Sequence, residues 1–499
     1  MLVTIIISLV CVYLGYVIVC RHFLPRVNEE VPTFPGRLPL IGHTHMSLKN
    51  ETLVRSMISF GEYALKVGGV TKFFMGPLPI YVVADPVDVA TVLNKCLKKM
   101  FVYRFIEPMV GKMLIAAEVP IWKRNRRILD LSFKQHLLDE FLELFNDRAG
   151  LFVELIAEDA GKGEVDLTEK ITRSVLETAC RTTLGARVDG KDLVENNYIV
   201  AVNELLDIPV TRIYKPWLMF DFIFNLSSCR TRLTKALAIC TTLTKNMVEL
   251  RKSEHLQRLK NKEEFEHEDG QFQSVLDVFI ENSVTETSSI LTDAELRNLI
   301  DNTLIAGFDT TITEMLFSFI CIGSYPEVQD KIYQEVIQVL GEDGRVTKQN
   351  ISQLVYLEAA IKESLRLYPA GGIVGREATV DTNLRNVTIP AGSSVVVHIW
   401  CVNRNPEYWG ADAEEFKPER WLNPETAPSH KAAFATFSPG LRGCIGKTYA
   451  IMFLKATMAP VLRRFKLEAD HTKMKLICNM FIKPVAGHLV RVEERRTNK

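Results

Sequence analysis

The segment that most constrains this chain begins at LTDAEL, residues 291–296. Thr292 with Glu295 three residues on is a capping box, the start of a helix. Nothing breaks the helical pattern before Pro326, so the spacing predicts about 32 helical residues, roughly 48 Å at 1.5 Å each. A rod of that length crosses a whole domain, and the other elements must pack around it. Its middle, AGFDTT at 306–311, suits a buried helix badly, with a glycine, a charge and two threonines. Threonine hydroxyls bond back to carbonyls and bend helices. Two readings stand: a distorted centre facing a ligand, or a glycine tolerated where another element packs close.

Composition removes some function classes. Apolar residues make up 47% of 499, enough for a large core. Lys+Arg and Asp+Glu both number 60, so nucleic acid, which needs a broad basic surface, is excluded as the main partner. The 10 cysteines are scattered, with no CxxC pair and no zinc spacing. They read as small buried hydrophobes in a reducing compartment, not as a disulfide framework.

Residues 1–20, MLVTIIISLVCVYLGYVIVC, carry no charge and reach the ~20 residues that span a bilayer. They lack a basic start and a small-residue cleavage site, so they predict a transmembrane anchor helix and not a cleaved signal. Arg21, His22 and Arg26 follow, which puts the remainder on the cytoplasmic side. Residues 21–43 are a basic, proline-rich linker ending in VPTFPGRLPLIGH, a stiff extended stretch. Residues 44–499 form the folded body. In it, TKFFMGPLPIYVVADP predicts two strands around a Gly-Pro turn, and 85–370 is mostly helical. The charged run 251–270 reads as a solvated loop or helix end. SSVVVHIW is strand-like, and AEEFKPERWLNPETAP is a proline-rich meander. The expected fold class is mainly α with small β-sheets.

The chemistry concentrates in FSPGLRGCIG, 437–446, directly before the apolar run KTYAIMFLKATMAPVL. A thiolate binds metal, and metal coordination removes its proton. Gly440 and Gly446 let the backbone pass close to a bulky planar group. Helix N-terminal N–H groups favour negative charge at the turn, and Arg442 can hold a carboxylate. An iron porphyrin with an axial cysteine fits this pattern.

FSPGLRGCIG resembles the cytochrome P450 heme-binding pattern F-x-x-G-x-R-x-C-x-G, through Phe437, Gly440, Arg442, Cys444 and Gly446. Five fixed positions in one chain match by chance on the order of 10⁻⁴ of the time. KESLRLYP is similar to the family's E-x-x-R, with Glu363 and Arg366, and FKPERW to its meander, with Arg420. AGFDTT resembles the oxygen-activating helix centre, and IWKRNR the W-x-x-x-R above the propionates, with Trp122 and Arg126. All stand in family order, from the linker to the C-terminus. The resemblance implies the cytochrome P450 fold and heme b ligated by Cys444. It implies propionates held by Trp122, Arg126, Arg376 and Arg442, and a structural triad of Glu363, Arg366 and Arg420. Arg124 and Arg127 are expected to be solvated or to face a redox partner. Thiolate ligation favours O–O cleavage, and Asp309 with Thr310 would relay the two protons it needs. Gly307 leaves room for dioxygen. A relay favours monooxygenation, with electrons from NADPH through a P450 reductase, and cytochrome b5 as a further partner, at the endoplasmic reticulum membrane. The other readings are a hormone- or xenobiotic-metabolising member, a heme-thiolate isomerase, or a heme protein without turnover.

YKPWLMFDFIFNL, 214–226, and LPLIGH resemble the animal fatty-acid-hydroxylase clan, family four of the P450s, in an insect-like form. The aromatic run reads either as a membrane-dipping lipid entrance or as a core-facing helix end. Many clan members carry a glutamate, esterified to heme, where this chain has Ala306. Histidine is common where it has Phe308 and Asn403. The departures imply heme without an ester bond and a less rigid pocket, so hydroxylation and epoxidation of a long-chain substrate both stay open. Pocket candidates are Phe105, Met113, Leu114, Ala306, Ile373 and Val374.

Overall fold

The computed structural model describes residues 25–185, 197–261, 272–285 and 291–495. The proposed anchor, residues 1–20, lies outside them. Asp293–Ser324 is one continuous helix of 32 residues, and its capping box forms as expected. Glu295 N–H donates to Thr292 Oγ1 at 3.2 Å, and Thr292 N–H to Glu295 Oε2 at 2.9 Å. By length and composition it is apolar enough to cross a membrane, yet its apolar stretch is mostly buried by its own domain. The helix is surrounded, which is why it is apolar on every side from Met315 to Gly323.

Helices Thr168–Leu184 and Val355–Leu367 pack along it. The helix that follows the cysteine loop, Lys447–Arg464, lies on Gln135–Ala157 and also touches Pro326–Leu340 and Val355–Leu367. One continuous apolar core joins these elements. The sheets are small and peripheral. Strands Val70–Met75 and Leu78–Val83 form the expected hairpin, with Gly76 at φ +59° in its turn. Ser394–Val397 joins it in parallel, and Val374–Glu377 adds an antiparallel edge. A second hairpin, Lys475–Asn479 with Phe481–Ala486, turns at Met480 and reaches the long helix.

Three local expectations change. The stretch 31–43 is no free spacer but is stitched to the first hairpin. Phe34 N–H donates to Lys72 O at 2.8 Å, and buried His43 receives the Phe74 N–H on Nδ1 at 3.0 Å. The strand in SSVVVHIW stops at Val397, because His398 caps a short helix, Nδ1 accepting the Cys401 N–H. The charged run 251–270 begins inside helix Ser228–Asn261, and Arg251 is not solvated. It forms a fork on Asp277, with Nη2–Oδ2 at 2.6 Å and Nε–Oδ1 at 3.1 Å. Residues 262–270 lie outside the described ones.

Candidate active site

A cavity of about 360 Å³ opens between the long helix and the cysteine loop. Cys444 and Gly443 form part of its floor, and Ala306, Gly307, Thr310, Thr311 and Glu314 line the opposite helix. Among the described cysteines Cys444 alone is exposed, and it is exposed to this cavity. Burial pushes Cys180, Cys240, Cys321 and Cys401 up to about 12, which leaves them inert packing groups. Facing the cavity but flanked by protein, the Cys444 thiol is also raised by desolvation, and the Gly446 N–H, Arg126 and Lys447 oppose the rise. The loop is held by its own backbone: Cys444 N–H donates to Phe437 O at 2.9 Å and Gly443 N–H to Gly440 O at 3.0 Å. Gly440 has φ +135°, and a Cβ there would meet Leu93 Cβ and O at 3.0 Å, so only glycine fits. Gly446 has ordinary angles and caps the following helix; its missing side chain keeps the sulfur side clear, with Cys444 Sγ 4.0 Å from an added Cβ.

Positive charge collects beside the loop, with Glu118 the only carboxylate among the described residues that acts on Arg442. Arg442 donates to the carbonyls of Leu97, Leu114 and Ala117 at 2.7, 2.9 and 3.0 Å and lies 4.8 Å from the Trp122 ring. Arg376 is buried, and its Nε has no partner among the described residues. Burial and the like charge of these two arginines hold Lys99 well below its ordinary value. Arg442 is lowered in the same way by burial and by Arg376. None of the three forms an ion pair among the described residues. A cluster of two buried arginines and a partly buried lysine is costly alone and suits a ligand bearing carboxylates, so the residues fit a heme with its two propionates. Sequence reasoning missed Lys99; its only signal was a lysine pair in a helix-free stretch, which is indistinguishable from a solvated surface. Arg126 lines the cavity but spends Nη1 on Gly443 O at 2.8 Å and Nε on Asp130 at 2.9 Å, bracing the loop. Arg124 is paired with Glu295 at 2.6 Å, tying its helix to the start of the long one, and Arg127 and Lys123 of that turn stay exposed, with no ion pair among the described residues.

On the long helix, Gly307 lines the cavity, and an added Cβ there would meet nothing within 4 Å. That favours the ligand-facing reading of AGFDTT over a packing glycine. Thr310 Oγ1 donates to Ala306 O at 2.7 Å and Thr311 Oγ1 to Gly307 O at 2.5 Å, while the helix stays unbroken. Asp309 does not line the cavity. It is buried on another face, where Lys483 Nζ donates to its Oδ1 at 2.5 Å. The acid and the alcohol are therefore not together on the wall, because neighbouring residues on a helix point about 100° apart.

Glu363, Arg366 and Arg420 meet in full burial. Arg366 forks onto Glu363 with two 2.8 Å bonds, and Arg420 Nε reaches Glu363 Oε1 at 2.8 Å. Trp421 Nε1 and the Lys417 N–H also donate to this carboxylate, at 2.9 and 3.0 Å. The remaining guanidinium N–H groups cap carbonyls of Asn403, Ala413 and Glu415 from Arg366, and of Trp409 and Asp412 from Arg420. Asn403 carries the connection onward. It donates to Arg366 O at 3.0 Å and Thr436 Oγ1 at 2.8 Å, and accepts the Ala435 N–H at 2.8 Å, next to the cysteine loop.

Of the pocket candidates, Leu114 and Ala306 line the cavity. The other four do not. Phe105 is buried under Arg212, 4.1 Å from its guanidinium. Met113 is buried beside Asn125, which bonds its carbonyl at 2.8 Å. Ile373 is 38% exposed, and Val374 packs on the small sheet's core. The chain turns before Ile373, so Ala370 and Gly371 reach the wall instead, with Phe481 from the second hairpin. Phe308 points into the core and takes no part in the wall.

This architecture, a mostly helical body around a cysteine-floored cavity, is that of a heme-thiolate enzyme. A family model described as cytochrome P450 matches residues 32–491. The chain belongs to the cytochrome P450 family. It is similar to cytochrome P450 4c3 of Drosophila melanogaster, 27% identical over 492 residues, 95% of this chain and 91% of that one. Cytochrome P450 4d2 of the same fly is 30% identical over 396 residues, 77% of this chain and 78% of that one. Cytochrome P450 4V2 of Mus musculus is 26% identical over 481 residues, 94% of this chain and 90% of that one. Membership implies a heme with a cysteine thiolate ligand and monooxygenation of a small molecule with dioxygen and a redox partner.

Proposed function

We propose that this chain is a membrane-anchored monooxygenase that inserts one oxygen atom into a hydrophobic, long-chain lipid-like substrate by hydroxylation or epoxidation. The observation that carries the site is the cavity shared by Cys444 and the Gly307–Thr310 turn. Heme b bound through Cys444 would supply the binding and reductive cleavage of dioxygen. Arg376, Arg442 and Lys99, with Trp122 and Arg126 beside them, would hold its carboxylates, while Phe437, Gly440 and Gly446 shape the loop. Ala306 offers no carboxyl for an ester, so the heme is held by Cys444 and non-covalent contacts alone.

Thr310 keeps its hydroxyl at the wall, and Asp309 with Lys483 forms the outer half of the proton path. A side-chain rotation of Asp309 away from Lys483 would bring the two halves together. The triad of Glu363, Arg366 and Arg420 keeps the meander, and through Asn403 the cysteine loop, in register.

Electrons come from NADPH through a P450 reductase, with cytochrome b5 as a second donor. Exposed Lys123 and Arg127, on the helix whose Arg126 braces the cysteine loop, suit an acidic docking partner. The lipid reading is supported by the apolar wall and by an exposed aromatic run. Phe220, Phe222 and Leu226 are 66%, 77% and 75% exposed, and Trp217 is half-exposed, which favours membrane contact over a core-facing helix end. Residues 1–20 would anchor the body, 44–499, to the endoplasmic reticulum with the linker 21–43 between. The test is two-part. The reduced carbonyl spectrum of the wild type should show thiolate ligation, and Cys444→His should lose it. Microsomes with reductase and NADPH should then convert a saturated fatty acid or a polyunsaturated long-chain hydrocarbon to an alcohol or epoxide; no product from either refutes the lipid assignment.

A further inference from the structure

Among the described residues the cavity wall holds one carboxyl, Glu314. It lies one turn beyond Thr310 on the same face of the long helix. Its Oε1 accepts the Ala370 backbone N–H at 2.7 Å, and its Oε2 is buried with no partner among the described residues. No lysine or arginine pairs with it among the described residues, so burial lifts this carboxyl to about 8, opposed only by the Ala370 N–H. At neutral pH it carries a proton and offers one O–H. The neighbouring hydroxyls are already engaged, Thr303 with Leu299 O, Thr310 with Ala306 O and Thr311 with Gly307 O. The Glu314 O–H is the donor left over beside Leu365, Ala370, Gly371 and Phe481. A buried donor without an acceptor is costly unless a ligand supplies one.

We propose that Glu314 is a substrate anchor, donating a hydrogen bond to a neutral oxygen acceptor, such as an ester or ketone carbonyl, on an otherwise apolar chain. The inference rests on the lipid reading above and narrows it. A plain hydrocarbon leaves the O–H unpaired, and a free carboxylate would sit buried beside a second carboxyl that no lysine or arginine pairs with among the described residues. Thr310 and Glu314 are roughly 6 Å apart along the axis. An oxygen held at Glu314 therefore presents carbons near itself, and not the remote chain end, to the reaction face.

The test is spectral titration of the full-length, heme-loaded protein with dodecane, methyl dodecanoate and dodecanoate. The ester should bind about tenfold tighter than either other probe, the effect of one hydrogen bond to a buried donor. Glu314→Gln, whose amide still donates, should keep most of that advantage, and Glu314→Leu should abolish it. Equal wild-type affinity for ester and alkane overturns the anchor, leaves the lipid reading standing, and needs no variant to fold. Failure of all three probes to bind removes both. A Glu314→Leu protein that keeps the ester preference but consumes more NADPH per product also overturns it, and makes Glu314 a proton donor.

Discussion

Lys483, on the second hairpin, holds Asp309 of the long helix through a 2.5 Å ion pair, and the same hairpin sends Phe481 into the cavity two residues earlier. One strand thus touches both the acid and the chamber. Burial raises the Asp309 carboxyl and Lys483 opposes the rise. Removing the lysine leaves a buried carboxyl unpaired, whereas removing both partners does not. Lys483→Met should lower the melting temperature more than the Lys483→Met, Asp309→Asn double variant does. A double variant less stable than the single would contradict this account.

The triad ranks a set of losses. Glu363→Gln removes the charge that two buried arginines share and should cost about 3–5 kcal/mol, seen as little heme-loaded protein on expression. Asn403→Ala leaves the Ala435 N–H and the Arg366 carbonyl without their partner and should cost about 1–3 kcal/mol. Carbonyl spectra of both, scaled to total protein, check the order.

Lys99 should act with opposite signs in the two forms of the protein. Without heme it is a partly buried, desolvated cation against Arg376 and Arg442. Lys99→Met should stabilise the heme-free chain. With heme it removes one charge-assisted contact, worth about 1.5–3 kcal/mol, so heme transfer to an excess of apo-globin should quicken at least tenfold. Equal effects in both forms would count against a propionate contact.

Glu314 sets a pH dependence. Its carboxyl stays protonated up to about 8 in the native state and ionises near the ordinary 4.5 once unfolded. Between those values the native state binds more protons, so this group's contribution falls as pH rises across the window and is constant above it. Glu314→Gln lacks the term. Its melting temperature relative to wild type should climb from about pH 5 to about pH 8 and then level off. A flat difference would mean that Glu314 ionises in the native state.

Acid-butanone extraction should strip all heme from the wild type, since Ala306 carries no carboxyl at the position from which an ester would form. Pigment retained on the chain would show another attachment.

Much of this was legible in the chain itself. The capping box at Thr292 and Glu295, the helix running to Ser324, the first hairpin and the cysteine loop are local features. Their signals lie within a few residues of the structure they form, through side-chain caps, turn glycines and apolar period. Spacing likewise put Glu363 and Arg366 on one face, because residues three apart on a helix are neighbours. Misplaced residues were those whose direction depends on distant segments. Order along the chain points to Ile373 and Val374 for the wall, but pairing of Val374–Glu377 with Ser394–Val397 turns that segment, and Ala370 and Gly371 face inward instead.

The sequence by itself determined the class of protein, because a thiolate loop at a helix mouth, a long interrupted-looking helix and an E-x-x-R face are short-range patterns. The tertiary structure alone decided where the charges go. It set Lys99 beside Arg376 and Arg442, turned Asp309 to Lys483, and buried Glu314 with one oxygen unpartnered. Charge and burial depend on which remote groups share a low-dielectric space, and no spacing along a chain encodes that neighbourhood.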